Sequence, residues 1–276
     1  MSLKGVATRT IALLEAGTYV APSGRTVSIR DAQRAAVART LLFRPGDLAE
    51  LLTDDPAAPG AAVRGVTVSD ESTQAAARRL VEEGASDVVL LNFASARNAG
   101  GGFINGAKAQ EEDLCRCSGL YPTLMTQDGY YRANRDQDSL LYTDHMIYSP
   151  GVVWFATESR GPLLERPFLA SVITAPAPNA GQFLAHSQGS EADVDACLLR
   201  RAGMVLALAR DRGHRNVLLG AWGCGVFRNS PAAVAEAFAR WLAAPGFADA
   251  FDAVHFAVYG RGDTVEAFRK RFGRRP

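Results

Sequence analysis

What this 276-residue sequence most plainly lacks is an excess of charge of either sign. Its 30 Lys and Arg stand against 29 Asp and Glu, a formal +1. A protein that neutralises a run of phosphates through a basic face carries a marked cationic excess, so the balance argues against direct nucleic-acid binding. Any phosphate chemistry must then be local, made by a loop. Lysine is almost missing, with only Lys4, Lys108 and Lys270, and a coding bias accounts for that as well as a function does. Cysteine is scarce too. Cys115, Cys117, Cys197 and Cys224 are too few for a disulfide scaffold, and the Cys115-x-Cys117 pair has neither a second pair nor a neighbouring His to complete a zinc site. No run approaches the ~20 apolar residues that span a bilayer. The first residues hold Arg9, Glu15 and a Pro22-Ser23-Gly24 turn where a secretory leader would need an apolar stretch. A cytoplasmic protein with reduced thiols and no membrane partner is expected. The four histidines, His145, His186, His214 and His255, are scattered, so neither a metal nor a cofactor is expected.

What is present suffices for a large core: 47% of the residues are hydrophobic and 21% charged. Residues 1–60 read as an N-terminal extension packed on the core, and 61–276 as the catalytic domain. In the extension, Thr18 to Val20 and Arg25 to Ile29 flank a turn and predict a hairpin, and Ser28 to Phe43 predicts one helix ending before Pro45. The Pro- and Gly-containing stretch from Asp54 to Gly60 marks the junction. Beyond it, β-rich runs alternate with helical ones. Strands are expected at Val63 to Val68, Asp87 to Asn92, Met146 to Tyr148, Val152 to Phe155, Phe168 to Thr174, Asn216 to Gly220 and Val254 to Tyr259. Helices are expected at Ser72 to Glu83, Ala192 to Arg210, Pro231 to Ala243 and Thr264 to Phe272. The unbroken apolar runs at Asp87 to Asn92 and Asn216 to Gly220 are typical of strands covered on both faces. The alternation implies a three-layer α/β/α fold.

Two loops that follow these buried strands hold the candidate chemistry. In the first, Gly100-Gly101-Gly102 stands seven residues before Gln110-Glu111-Glu112. Three consecutive glycines cost conformational entropy and make sense where backbone approaches a ligand, although an irregular loop is the plainer alternative. The position, beyond the carboxyl end of a central strand, is where open α/β sheets bind ligands. Gln110-Glu111-Glu112 opens a helix running toward Leu120, and acidic residues in a first turn need no further explanation than the helix dipole. Successive helical residues point about 100° apart, so the two glutamates cannot share one task. The second loop, Trp222-Gly223-Cys224-Gly225-Val226-Phe227, supplies N–H groups just before a helix that can cradle phosphate without a basic side chain. Cys224 is also conceivable as a nucleophile beside that helix, with packing next to phosphate as the alternative.

Together these stretches resemble the bacterial type of poly(ADP-ribose) glycohydrolase, whose signature is three glycines, a gap of six to eight residues, and Gln-Glu-Glu. The resemblance runs from about residue 60 to the end, and it covers the second loop as the diphosphate-binding loop. It implies a macrodomain with a mixed central sheet, preceded by an N-terminal extension, that binds the terminal ADP-ribose of the polymer and cuts the ribose–ribose O-glycosidic bond. By position Glu112 is then the general acid/base and Glu111 its supporting partner. Gly100, Gly101, Gly102 and Gln110 belong to the ribose side of the site. Gly223, Cys224, Gly225 and Val226 would hold the diphosphate through backbone amides, Phe227 would pack on the reacting ribose, and Asn98 would bond a ribose hydroxyl. Implied partners are poly(ADP-ribose), ADP-ribose and the ADP-ribosylated proteins that carry the polymer. The alternatives are a non-catalytic ADP-ribose-binding macrodomain, which has no need of Gln110-Glu111-Glu112, and a hydrolase of single ADP-ribosyl groups on proteins.

Overall fold

The computed structural model describes residues 1–260 and 262–273. Residues 3–16, for which the sequence pattern gives no assignment, form α1 (Leu3–Ala16), started by the Ser2 side chain, which accepts from Gly5 N. The expected hairpin is present as β1 (Thr18–Val20) and β2 (Thr26–Ser28), paired antiparallel. The single helix expected over Ser28 to Phe43 is instead two elements. The helix α2 (Arg30–Arg39) stops where Thr40 becomes extended, and β3 (Leu41–Phe43) pairs antiparallel with Tyr148 to Met146. Apolar residues at this spacing satisfy a helix or a half-covered edge strand, and the open edge of the sheet decides for the strand. The extension ends in α3 (Pro45–Leu51).

After the junction come β4 (Val66–Ser69), α4 (Thr73–Glu82), β5 (Val88–Phe93), a 3-10 turn at Phe103–Asn105, and α5 (Gln110–Cys117). They are followed by α6 (Leu120–Met125), α7 (Asp128–Arg135), β6 (Met146–Trp154), β7 (Phe168–Ala175) and α8 (Ala180–Ala185). The chain continues with α9 (Glu191–Asp211), β8 (Asn216–Gly220), α10 (Pro231–Leu242), β9 (Ala253–Ala257) and α11 (Asp263–Phe272). The two strands expected around Pro150-Gly151 are one, with a bulge between Ser149 and Val152; a bulge absorbs a residue without ending the ladder. The helix that opens at Gln110 ends at Cys117, because Ser118 is drawn into a bridge with Trp154.

The main sheet has the order β3-β6-β7-β5-β8-β9-β4 and is mixed. β7, β5, β8, β9 and β4 run parallel, and β6 lies antiparallel between β3 and β7. β5, at its centre, reads alternately into two cores. Val89 and Leu91 pack with α9 and α10, while Val88 and Leu90 pack with residues of α1, α4, α5, α6 and α7. That is the period of two of a strand buried on both sides, and it yields the expected three layers. β5 and β8 are parallel neighbours, so the loops that leave their carboxyl ends emerge side by side. Among the described residues no helix is long and apolar enough to cross a membrane.

Candidate active site

The first loop is anchored before it reaches any ligand. Phe103 is fully buried, its ring 5.1 Å from that of Tyr121, and Gly101 N and Phe103 N donate to Asn98 O and Gly100 O, each at 3.0 Å. At its far end Gln110 ties α5 to β5. Its side-chain oxygen accepts from Phe93 N (2.8 Å), and its side-chain nitrogen donates to Leu91 O (2.9 Å) and Thr73 Oγ1 (3.2 Å). The next two residues point apart, as the helix requires. Glu111 is 2% exposed and accepts from Ser95 N (2.7 Å) and Asn92 Nδ2 (3.1 Å). Glu112 is 8% exposed and accepts from Gly102 N at 2.9 Å. Burial pushes the Glu111 carboxyl up to about 8, against the pull of the Ser95 and Asn92 hydrogen bonds and with help from the Glu112 charge. A glycine is required between the loop and these carboxyls: Gly101 has φ +56°, and a Cβ there would stand 2.5 Å from Glu112 Oε1 and 3.3 Å from Glu111 Oε2.

The second loop is pinned by Trp222 and Asn229. Trp222 is fully buried and its Nε1 donates to Ala175 O at 3.1 Å. Asn229 bonds Pro178 O (2.9 Å) and Gly223 O (3.2 Å), closing the loop on itself around Gly223, whose φ is +70°. The loop does not lead straight into a helix. α10 starts at Pro231, with Ser230 as its cap, so the amides of Gly223 to Phe227 are those of a turn and not of a helix N-terminus. Among the described residues the N–H groups of Gly225, Val226 and Phe227 have no acceptor, whereas Cys224 N donates to Ala221 O at 3.1 Å. The Cys224 side chain packs against the core, and burial pushes its thiol up to about 12, which favours packing over a nucleophilic role. Phe227 lies 5.9 Å from the ring of Tyr142.

Between the loops opens a cleft of 1040 Å³. Glu111, Glu112, Gly101, Gly102, Gln110 and Asn98 line one side, and Gly223, Gly225, Val226 and Phe227 the other. A cleft with unpaired N–H donors on one loop and two carboxyls on successive helical residues beside the other can hold a sugar phosphate and deliver a proton to it. Among the described residues no group of three or more His, Cys, Asp and Glu side chains is arranged to hold a metal ion.

The family model for the microbial-type PARG catalytic domain matches residues 7–157, which is more than half of the chain and includes the glycine loop and both glutamates. The chain belongs to the microbial-type PARG family. Among solved structures, the poly(ADP-ribose) glycohydrolase of Thermomonospora curvata bound to the inhibitor ADP-HPD is 44% identical over 98% of this chain and 99% of that one, with a TM-score of 0.89. That enzyme in another of its structures is 45% identical, with a TM-score of 0.90. The Deinococcus radiodurans enzyme in complex with ADP-ribose is 44% identical over 87% of this chain and 96% of that one, with a TM-score of 0.76. No curated protein matches the chain.

In this PARG-family chain the fold brings all the residues singled out in sequence to line one cleft, except Gly100 and Cys224. Gln110 reaches the cleft with its amide already engaged by β5 and α4, so it braces the site. Sequence reasoning misses Tyr121, Tyr131 and Arg135, which also line the cleft. Arg135 donates to Arg97 O (2.8 Å), beside Asn98, and bonds Asp128 (3.3 Å). Tyr131 is 4% exposed. These come from α6 and α7, a stretch without sequence motif; the amphipathic spacing of Tyr130, Tyr131 and Asn134 signals a buried face but not what it faces. Asn92 and Ser95, which hold Glu111, carry no signal in isolation either.

Proposed function

We propose that this chain hydrolyses the ribose–ribose O-glycosidic bonds of poly(ADP-ribose) and releases ADP-ribose. The observation that carries the reading is the pair of carboxyls fixed at different settings on one helical step. Glu111 is buried, its carboxyl pushed up to about 8, and closed off by Ser95 and Asn92, whereas Glu112 is held by a single Gly102 N–H at the cleft wall. In this assignment the diphosphate lies on the unpaired N–H groups of Gly225, Val226 and Phe227, next to Gly223. Phe227 packs on the reacting ribose, Asn98 bonds one of its hydroxyls, and Gly100 to Gly102 let the sugar approach the backbone. Glu112 protonates the departing ribose oxygen as the anomeric carbon becomes oxocarbenium-like, and the carboxylate left behind activates water. A neutral Glu111 spares that carboxylate the repulsion of a like charge one residue away.

The substrate carriers are ADP-ribosylated proteins, and the compartment we assign is the cytoplasm, in keeping with four free cysteines among the described residues. Residues 1–60 are assigned as an extension that works as part of the 61–276 catalytic unit. Support for that is direct: β3 forms an edge of its sheet, and Thr10 Oγ1 of α1 donates to Arg116 O of α5 at 3.0 Å. The deciding experiment incubates the purified protein with poly(ADP-ribose), with and without a chelator, and follows free ADP-ribose. Release in both arms is expected. Tight binding of ADP-ribose with no release would leave a binding module, and release only from singly modified proteins would move the activity to the mono-ADP-ribosyl class.

A further inference from the structure

Arg116 follows Glu112 by one turn on α5, so the two side chains leave the same face of the helix. It is 3% exposed and does not line the cleft. Its guanidinium donates in two directions: Nε to Ser159 Oγ at 2.7 Å and Nη1 to Ala107 O at 2.9 Å. Its ion-pair contact, Nη2 to Asp113 Oδ1, is longer at 3.5 Å. Asp113 is itself held by Gln74 Nε2 (2.6 Å) and by the Ser159 hydroxyl.

The Ala107 contact leads back to the catalytic carboxyl. Ala107 N donates to Gly102 O at 3.1 Å, and Gly102 N donates to Glu112 Oε1 at 2.9 Å. Glu112 and Arg116 thus hold the two ends of the turn from Gly102 to Ala107, and the ring of contacts closes through the one helical turn that separates them. We infer that Arg116 is a positioning residue for the glycosidic reaction, fixing the 102–107 turn and through it the aim of the Glu112 carboxyl. Burying a guanidinium is costly unless each donor has a defined task, and here the two short bonds go to the loop and to the serine that also holds Asp113. Arg suits the place because its planar fork reaches two acceptors on different sides at once, which a single ammonium does not do.

The inference rests on the role proposed for Glu112, and its test separates the two. Arg116→Lys keeps a cation beside Asp113 but cannot span Ser159 Oγ and Ala107 O together. The expected result is a kcat lowered about 10- to 100-fold, the loss that small misplacement of a reacting group brings. KM for poly(ADP-ribose) should stay within about threefold, since substrate contacts are untouched. Backbone amide exchange in residues 102–107 should quicken in the free protein while exchange in β5 stays slow. Ser159→Ala, which leaves the guanidinium in place, should move both readouts the same way by less, and it decides the matter if Arg116→Lys does not fold. Unchanged kcat in both variants would overturn the inference, as would a fall in kcat with no change in amide exchange. Should Glu112→Gln prove fully active, the reading of Glu112 fails by itself, and amide exchange in Arg116→Lys still shows whether the guanidinium holds the turn.

Discussion

Glu71 and Glu111 are two glutamates of one molecule whose acidities the fold drives in opposite directions. Burial pushes both carboxyls up. At Glu71 it is overcome by hydrogen bonds from His255, Arg79 and Ser69 and by the Arg79 charge, which together bring it down to about 2. Arg79 Nη2 lies 2.6 Å from its Oε1, Ser69 Oγ 2.6 Å and His255 Nε2 3.3 Å, a cluster that pins α4 to β4 and β9. At Glu111 the partners are backbone N–H groups and an asparagine side chain, with a second carboxyl, Glu112, beside it, and burial wins at about 8. A carboxylate with its counterion locks structure together. One without it is pushed toward holding its proton, a shift that clusters at functional sites. We read the two carboxyls at the cleft as the functional arrangement and the carboxylate saturated by Arg and His as a strut.

The largest effect that would break this contrast is on Glu112. Glu112→Gln preserves shape and one acceptor but has no proton to give, and kcat should fall ~10²–10⁴-fold. Calorimetry should show ADP-ribose binding within several-fold of the parent protein. Full activity would remove the division between working and bracing carboxyls.

Next in size is the phosphate loop. The space a side chain would enter at Gly225 is open, with no protein atom within 4 Å of a Cβ placed there. Gly225→Val should therefore fold and melt nearly as before, yet weaken ADP-ribose binding about tenfold or more, the worth of one hydrogen bond to a charged group. Arg228→Ala should cost less, since its aliphatic stem packs on Gly181. A greater loss from Arg228→Ala would mean that charge, not backbone, captures the diphosphate.

A smaller effect is expected on the strut side, and on stability alone. Arg79→Ala removes the guanidinium that both Glu71 and His255 contact and should destabilise the protein by about 1–3 kcal/mol. Its kcat should not change. A drop in kcat at temperatures where the variant is fully folded would join the two regions that are separated here.

The sharpest discrimination is in the pH dependence of stability. Native Glu111 holds its proton up to about 8, while the unfolded chain releases it near 4.5. Across that window the native state binds the extra proton, so this group's stabilisation is full below 4.5 and is lost as pH rises through about 8. Glu71 behaves oppositely: its stabilisation is full above 4.5 and is lost as pH falls toward about 2. Urea unfolding from pH 3 to pH 9 should show Glu111→Gln flattening the alkaline limb only and Arg79→Ala the acid limb only. An alkaline limb that Glu111→Gln leaves as steep as before would deny the upward shift of the Glu111 carboxyl.

Much of the scaffold is legible along the chain. β5 and β8 announce themselves as apolar runs because both faces of each strand are covered, and Ser72 and Pro231 mark helix starts by local chemistry. β3 is not legible, since three apolar residues after a helix become a strand only where the edge of β6 is there to receive them. Nor is the interruption at Ser118, which depends on a bridge to Trp154, distant in sequence. In the site, the glycines and the two glutamates show in sequence by their spacing. That Cys224 N is already taken by Ala221 O, and that the second loop is closed by Asn229 and not by a helix, are matters of three-dimensional turn geometry.

The sequence by itself determined which loops carry the chemistry, because glycine runs and paired acids are local choices that only a ligand-binding backbone makes sense of, and it determined a three-layer α/β/α fold through the alternation of buried strands and helices. Only the tertiary structure decided how the two glutamates are held. The acidity of Glu111 depends on burial, on Ser95 and Asn92 at distances along the chain that no local pattern encodes, and on the absence of a paired cation beside it among the described residues, in contrast to Arg79 beside Glu71, while Glu112 takes its one bond from Gly102.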